Sequence, residues 1–398
     1  MILHSPPAAS AGRLFELDAL RGIAAFLVLL QHARVMGLDP RPFDHPLLER
    51  GVHMLMHFSP LRVLEFGRPA VLFFFVLSGY VLTRALLRNG SPGLLAFAAQ
   101  RSIRLLLPVA ASVLISAGLY ATVVTDPALL TGELRKHTIH LWQAMPGLSD
   151  ILRQSTLLLT ESERVQLNPV LWSLVHEWRL TLLLPLVLLF RARVWTLLAL
   201  GCFGMALGAM GSGSENRVQL GPHFHSTLVA SLYFSLAVIS GATLALLSTA
   251  PQLTRDQRLI GGITCLALFG MGSDIAVYAA SVLLIVLAQQ PSSFRRLLNR
   301  APLVWLGHVS YSLYLVHAPV LAATVILLHE ELPIWACLIV GIAVALSAAG
   351  VLHRLVEIPA RNLARRAEQR LRVSPSMPLA PRRQEPESLW VGEGGLFR

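Results

Sequence analysis

The stretch RGIAAFLVLLQH, residues 21–32, holds nine apolar or glycine residues between Arg21 and a closing glutamine and histidine. Arg21 and His32 are eleven positions apart, which at about 100° per residue is within about 20° of whole helical turns. The two side chains therefore share one helix face, about 16 Å apart along the axis. Arg21 is predicted at a membrane boundary, where it either snorkels or serves the function. His32 is predicted at membrane depth, as an interhelical hydrogen-bonding residue or a functional one.

The composition is that of a membrane protein. Of 398 residues, 54% are hydrophobic and 14% charged, against about 25% charged in soluble domains, and the mean hydropathy is +0.61. The net charge of +11 comes almost entirely from arginine, since Lys136 is the only lysine. In a membrane protein this charge indicates basic cytoplasmic loops, so no nucleic-acid partner is expected. The three cysteines lie in apolar runs, so neither a disulfide framework nor a metal site is expected.

Apolar runs of about 17–25 residues predict an all-α, polytopic membrane bundle of about ten transmembrane helices. The predicted spans are 18–36, 69–87, 105–125, 170–190, 194–213, 227–248, 259–272, 274–290, 303–328 and 333–353. The seventh and eighth spans are the weakest, because FGMGSD between them must form a tight turn. The polar connection 126–169 is interpreted as an external loop with room for a re-entrant or surface helix.

Charge and composition also predict the topology and the domain limits. Residues 1–12 are interpreted as an N-terminal cytoplasmic segment, 13–366 as the membrane domain and 367–398 as a disordered tail rich in proline, glycine and charge. Arginine concentrates in the segments after even-numbered helices, which predicts that both termini are cytoplasmic. We expect a multi-pass protein of a bacterial inner membrane, and the near-exclusive use of arginine fits a GC-rich bacterial genome.

Two further predicted helices carry polar groups at membrane depth. In the fourth, Ser173, Glu177 and Thr181 form a stripe at i, i+4 and i+8, and Glu177 is expected at the depth of His32. In the ninth, Ser310, Tyr314 and His317 share a face, with His317 expected at that same depth. A buried histidine in an aromatic packing helix is the alternative interpretation of the ninth.

A basic pair precedes the third predicted helix. Arg101 and Arg104 lie at i and i+3 in QRSIRLLLP, on the predicted cytoplasmic side. Convergent arginines at a membrane surface suit a phosphate-bearing ligand. Basic residues that only set the membrane topology would also explain Arg101 and Arg104. The pair by itself does not distinguish this interpretation from a phosphate-binding site.

The ordered motifs resemble those of one known family. After Arg21 and His32, the motifs are GRPAVLFFFVLSGYVLTRAL (67–86), RSIRLLLP, NPVLWSLVHEW, LGHVSYSLYLVHAPV and VEIPARNLARR (356–366). This set is similar to that of the membrane acyltransferase type 3 family, which includes bacterial O-acetylases of surface polysaccharides. The resemblance covers about residues 13–366. It departs from the family pattern at Gln100, where an arginine is frequent, and at Arg179, where an aromatic residue is frequent.

The resemblance implies transfer of an acyl group, with acetyl expected, from cytoplasmic acyl-CoA to a hydroxyl of a sugar-containing acceptor. His32 is then the general base and Glu177 its orienting or charge-stabilising partner. The expected donor-binding residues are Arg21, Arg101 and Arg104, and the expected site-lining residues are Ser173, Trp172, Tyr314, His317 and Ser310. The expected partners are the lipid bilayer and a carbohydrate or glycolipid, while the oligomeric state stays open.

A proton-coupled transporter or flippase of a glycosylated solute is the main alternative. The intramembrane arginine, histidine and glutamate would then form a proton relay. Transporters often contain repeats and paired broken helices, and neither is evident in this sequence. A structural role with a decayed site is a third interpretation. Dependence on acyl-CoA separates the enzyme from the other two.

Overall fold

The computed structural model describes residues 14–37, 65–90, 92–125, 133–138, 141–160, 166–212, 219–220, 223–247 and 252–372. The regular structure of these residues is helical throughout, as predicted. The helices are α1 (Phe15–Gly37), α2 (Gly67–Asn89), α3 (Leu94–Val123), α4 (Leu148–Ser155), α5 (Leu171–Leu182), α6 (Leu184–Val187), α7 (Val194–Ser212), α8 (Phe224–Tyr233), α9 (Ser235–Leu246), α10 (Arg255–Gly270), α11 (Asp274–Ala288), α12 (Ser293–Leu298), α13 (Ala301–Leu328), α14 (Ile334–Leu352) and α15 (Ile358–Leu371). Two 3-10 turns (Glu133–Thr138 and Leu188–Phe190) and a π-helical turn (His353–Glu357) complete the described elements.

Six of the described helical segments are long and apolar enough to cross a membrane, namely α1, α2, α3, α7, α13 and the continuous α14–α15. Two bent pairs, α5–α6 with its 3-10 turn and α8–α9, raise the number to eight if each is one span. The predicted count of about ten is therefore not confirmed. The difference is α10 and α11, whose 16 and 15 residues reach only about 24 Å, short of a hydrocarbon core of about 30 Å. Gly272, with φ of +70°, makes the tight turn predicted between them.

Both ends of the described chain lie at the same end of the bundle. Arg21 near the start of α1 and Arg361 in α15 line one cavity, together with Arg88 at the end of α2 and Arg104 near the start of α3. We call this the arginine-rich end. The chain between α1 and α15 therefore crosses the bundle an even number of times.

The central helix, α13, packs against α1, α3 and α14. Helices α1 and α13 run parallel in one register, because Gly22 meets Gly307 and His32 meets His317, and both pairs are 285 positions apart. A Cβ atom on Gly22 would lie 2.5 Å from the Gly307 amide nitrogen, so the approach requires glycine. The glycine contact thus fixes the level at which the two histidines meet.

The segment predicted to be an external loop packs in part into the bundle. Trp142 is fully buried, and its indole Nε1 donates to Ser116 Oγ at 2.9 Å. The Asn168 side-chain amide donates to the Leu315 carbonyl at 2.7 Å, in the middle of α13. As a result α5 begins inside the bundle rather than at its surface.

The predicted terminal segments fall largely outside the described residues. Residues 1–12 and 373–398 are not among them. Helix α15 continues to Leu371, a little beyond the predicted start of the tail. It packs against α3, which positions the arginine-rich end of both helices.

Candidate active site

A cavity of about 480 Å³ opens at the arginine-rich end and runs into the bundle between α1, α2, α3, α5 and α13. Six arginines and three carboxylates line it, so its wall carries a net positive charge. The arginines are Arg21, Arg84, Arg88, Arg101, Arg104 and Arg361, and the carboxylates are Asp18, Glu177 and Glu357. Along α2 the lining extends from Arg88 to Val71, about 26 Å of helix. Such a cavity suits a ligand with an anionic head and a long apolar arm.

Arg101 is committed to an ion pair with Glu177. Its Nη2 group donates to Glu177 Oε1 at 2.6 Å and its Nε to Thr181 Oγ1 at 3.1 Å. Ser78 Oγ donates to the same Glu177 oxygen at 2.8 Å. Arg101 is only 5% exposed, so removing either partner would leave an uncompensated charge in a mostly buried position. This network joins α2, α3 and α5, and its two charges balance each other.

Arg104 differs from Arg101 in its contacts. It makes no hydrogen bond or ion pair to any residue in the described ranges, although it lines the cavity wall. Arg21, by contrast, pairs with Asp18 Oδ1 at 3.3 Å. Arg84 donates to the Tyr80 hydroxyl at 2.6 Å. Of these three arginines, Arg104 therefore has the most hydrogen-bonding capacity left for an anion.

Three side chains lie at the inner end of the cavity. The Tyr314 hydroxyl and Ser173 Oγ share a hydrogen bond of 2.6 Å, and the Phe74 ring meets the Tyr314 ring edge-on with 5.9 Å between centroids. The Tyr314 ring also lies near His317, with 6.0 Å between ring centroids, and His317 is not part of the cavity lining. Tyr314 therefore separates the cavity from His317.

His32 and His317 form a hydrogen-bonded pair beyond Tyr314. His32 Nδ1 lies 2.8 Å from His317 Nε2, with 5.0 Å between the ring centroids and 27° between the ring planes, so the two rings meet edge to edge. This contact confirms the prediction that His317 lies at the depth of His32. His317 is fully buried, and its Nδ1 lies 3.0 Å from the Leu313 carbonyl oxygen.

Glu177 does not lie at the predicted depth. Its hydrogen bonds go to Arg101 and Ser78, and none joins it to His32 among the described residues. The prediction assumed that α5 begins at the membrane surface. Because Asn168 is anchored to Leu315 inside the bundle, Glu177 lies farther toward the arginine-rich end than a surface start would give.

The other predicted lining residues divide between two regions. Ser310 lines the cavity and donates to the Gly307 carbonyl at 2.8 Å. Trp172 points elsewhere, since its ring packs against His176 and Phe234 and is not part of the cavity lining. His176 itself is fully buried and bonds Ser231 Oγ at 2.9 Å.

Several residues of the cavity were not predicted from the sequence. Glu357 accepts a hydrogen bond from Ser312 at 2.8 Å and lies 3.9 Å from Arg361. Glu357 and Arg361 belong to the motif VEIPARNLARR, which is one of the ordered motifs that carry the family resemblance. Arg84 lies in the motif GRPAVLFFFVLSGYVLTRAL, where nothing marked it as a cavity residue.

Comparison with known proteins adds one finding. The family model described as Acyltransferase domain matches residues 14–352 of the chain. No curated protein and no solved structure matches it. Within the described ranges, no three histidine, cysteine, aspartate or glutamate side chains converge as metal ligands would.

Proposed function

Since the chain belongs to the acyltransferase type 3 family, whose model covers most of it, we propose that it transfers an acetyl group from cytoplasmic acyl-CoA to a hydroxyl of a sugar-containing acceptor. Family membership and the apolar helices support an acyltransferase that spans a membrane several times. The finer proposal rests on one observation. A cationic cavity, in which Arg104 makes no hydrogen bond or ion pair to the described residues, ends at Tyr314, whose ring lies near one member of a histidine pair.

The cavity supports acyl-CoA as the donor. Coenzyme A carries several phosphates and a long pantetheine arm, which match the arginines at the mouth and the length of the cavity. The positive-inside bias supports a cytoplasmic mouth, where acyl-CoA is available. In this proposal Arg104 binds phosphate, with Arg21 and Arg361 beside it. Arg101 shapes the wall through Glu177 and does not bind the donor directly.

The inner end supports a short acyl group. Tyr314 contacts both Phe74 and Ser173 there, which leaves room for few carbons beyond the thioester. Tyr314 lies three residues before His317 on α13, about 4.5 Å along the axis. A small displacement of the Tyr314 ring would bring the thioester to the histidine pair, and this displacement is part of the proposal.

His32 is proposed as the general base for the transfer. Its free ring nitrogen takes the proton of the acceptor hydroxyl while the oxygen forms a bond to the thioester carbon. The carbon–sulfur bond then breaks, and the imidazolium returns the proton to the departing thiolate. The products are the acyl ester and free CoA–SH. General-base catalysis of this kind is worth about 10²–10⁴ in rate.

The acceptor is proposed to arrive from the end of the bundle opposite the arginines. His32 lies about 16 Å beyond Arg21, and the neighbouring Gln31 side chain packs on Gly67, where α2 begins at that opposite end. A separate entrance lets a carbohydrate or glycolipid reach His32 without entering the cationic cavity. For an enzyme of a bacterial inner membrane, this entrance faces the periplasm.

Isolated membranes with matched amounts of wild-type and His32→Ala protein test the proposal. Radiolabelled acetyl-CoA is added, and label is followed into lipid and polysaccharide fractions alongside free CoA release. We expect incorporation by the wild type and its loss in the variant, with the labelled fraction identifying the acceptor class. Full activity of folded His32→Ala protein would refute the base assignment. Failure with a panel of acyl-CoA donors and candidate acceptors would favour the transporter interpretation.

A further inference from the structure

We propose that His317 is a positioning residue, which holds His32 in the one tautomer that leaves Nε2 free to accept the hydroxyl proton. The inference rests on the proposed function and adds to it a residue that acts through His32. It also assigns a specific atom of His32 to the reaction.

The hydrogen-bond chain determines the tautomers. The Leu313 carbonyl oxygen can only accept, so His317 Nδ1, 3.0 Å away, carries the hydrogen. In a neutral ring His317 Nε2 then holds a lone pair and accepts. The nitrogen facing it at 2.8 Å, His32 Nδ1, must be the donor. His32 Nε2 is consequently the nitrogen with the lone pair.

The surroundings of His32 Nε2 fit a base. It has no hydrogen-bond partner among the described residues, and His32 is partly exposed whereas His317 is fully buried. The anchored ring is therefore the inner one, and the reactive nitrogen belongs to the ring that a substrate can reach. When His32 takes a proton, its Nδ1–H bond to His317 becomes charge-assisted, which stabilises the imidazolium. His317 thus performs the task for which the sequence had suggested Glu177.

The helix register holds the pair in place. Gly22 and Gly307 fix α1 against α13, and the histidines follow ten residues later on both helices, about 15 Å along the axis. Since the two helices are parallel, this spacing is the same on each. The Leu313 carbonyl that orients His317 belongs to the same helix as His317. The hydrogen-bond series from Leu313 through His317 to His32 therefore lies entirely on α1 and α13 and involves no loop.

Steady-state kinetics of purified His317→Ala and His317→Gln proteins test the role. We expect His317→Ala to lower kcat about 10- to 100-fold, part of the full general-base effect, with the donor KM within about twofold of wild type. Glutamine should recover part of this loss, because its amide oxygen can accept the His32 N–H. His176→Ala is the matched control, since it also removes a fully buried, hydrogen-bonded histidine but lies outside the cavity lining. Equal losses in all three variants, or an unchanged kcat in His317→Ala, would overturn the proposal.

A second readout does not depend on activity. In protein labelled with ¹⁵N-histidine, the His32 signals are identified by their absence from His32→Ala protein. We expect hydrogen on Nδ1 of His32 in the wild type and a shift toward the other tautomer in His317→Ala. Hydrogen on Nε2 in the wild type would overturn the positioning role. If the tautomer is as expected but no acyl-CoA is turned over, the proposed function fails while the pairing stands.

Discussion

Replacing Arg104 with alanine should weaken donor binding without changing the chemical step. A charge-assisted hydrogen bond to phosphate contributes about 1.5–3 kcal/mol, and each 1.4 kcal/mol is a factor of ten. Because Arg21 and Arg361 line the same cavity and can share the phosphate, the lower part of this range applies. We therefore expect the KM for acetyl-CoA to rise about tenfold. The value of kcat should stay within about twofold, since the lost contact is equal in the ground and transition states.

The assay is the initial rate of CoA release against acetyl-CoA concentration, with acceptor in excess and protein in detergent or nanodiscs. Arg354→Ala is the matched control, because Arg354 is an exposed arginine of the neighbouring π-helical turn that does not line the cavity. Its KM should equal that of the wild type. An unchanged KM in Arg104→Ala protein would refute the assignment of the cavity to the phosphates. A similar rise in both variants would instead attribute the effect to the general charge of this end.

Three other changes give distinct expectations. Arg101→Gln should lower the free energy of unfolding by about 3–5 kcal/mol and reduce the yield of folded protein, because it leaves the Glu177 charge without its partner. Adding Glu177→Gln should restore the yield, and equal thermal stability of the single and double variants would contradict this expectation. Gly307→Ala should lower Tm, because its Cβ would overlap the Asp18 carbonyl and cost about 1–3 kcal/mol or more in the free energy of unfolding. In the control variant Gly350→Ala, the new Cβ meets nothing within 4 Å, so Tm should not fall. Tyr314→Ala should extend donor use to acyl chains several carbons longer in a competition between acyl-CoA species, and an unchanged preference would argue against Tyr314 as the limit on chain length.

The sequence predicted features that depend on helical periodicity. The shared face of Arg21 and His32, and the common depth of His32 and His317, follow from a rise of about 1.5 Å per residue in helices that begin at the membrane boundary. The family resemblance is confirmed over residues 14–352, which the motif order had indicated. The apolar runs also predicted the helical structure that is found throughout the described ranges.

Features that depend on tertiary contacts were not predictable in the same way. The depth of Glu177 depends on where α5 begins, and that is set by a hydrogen bond from Asn168 to Leu315, 147 positions away. Arg101 and Arg104 look alike in the sequence, yet one is neutralised by Glu177 and the other faces the cavity. Pairing of this kind requires knowing which helices are neighbours, and periodicity within one helix carries no such information.

In the proposed mechanism, the division of charge between the two ends of the site lets one chain serve two unlike substrates. In the proposed mechanism the donor is a polyanion and needs arginines, while the base must remain free to accept a proton. Cations next to an imidazole oppose its protonation, so a base placed among Arg21, Arg104 and Arg361 would be a poor one. A separation of about 16 Å along α1 keeps the charges apart, and the pantetheine arm spans the distance. The neutral partner His317 then supports the imidazolium without bringing a permanent charge to the acceptor side.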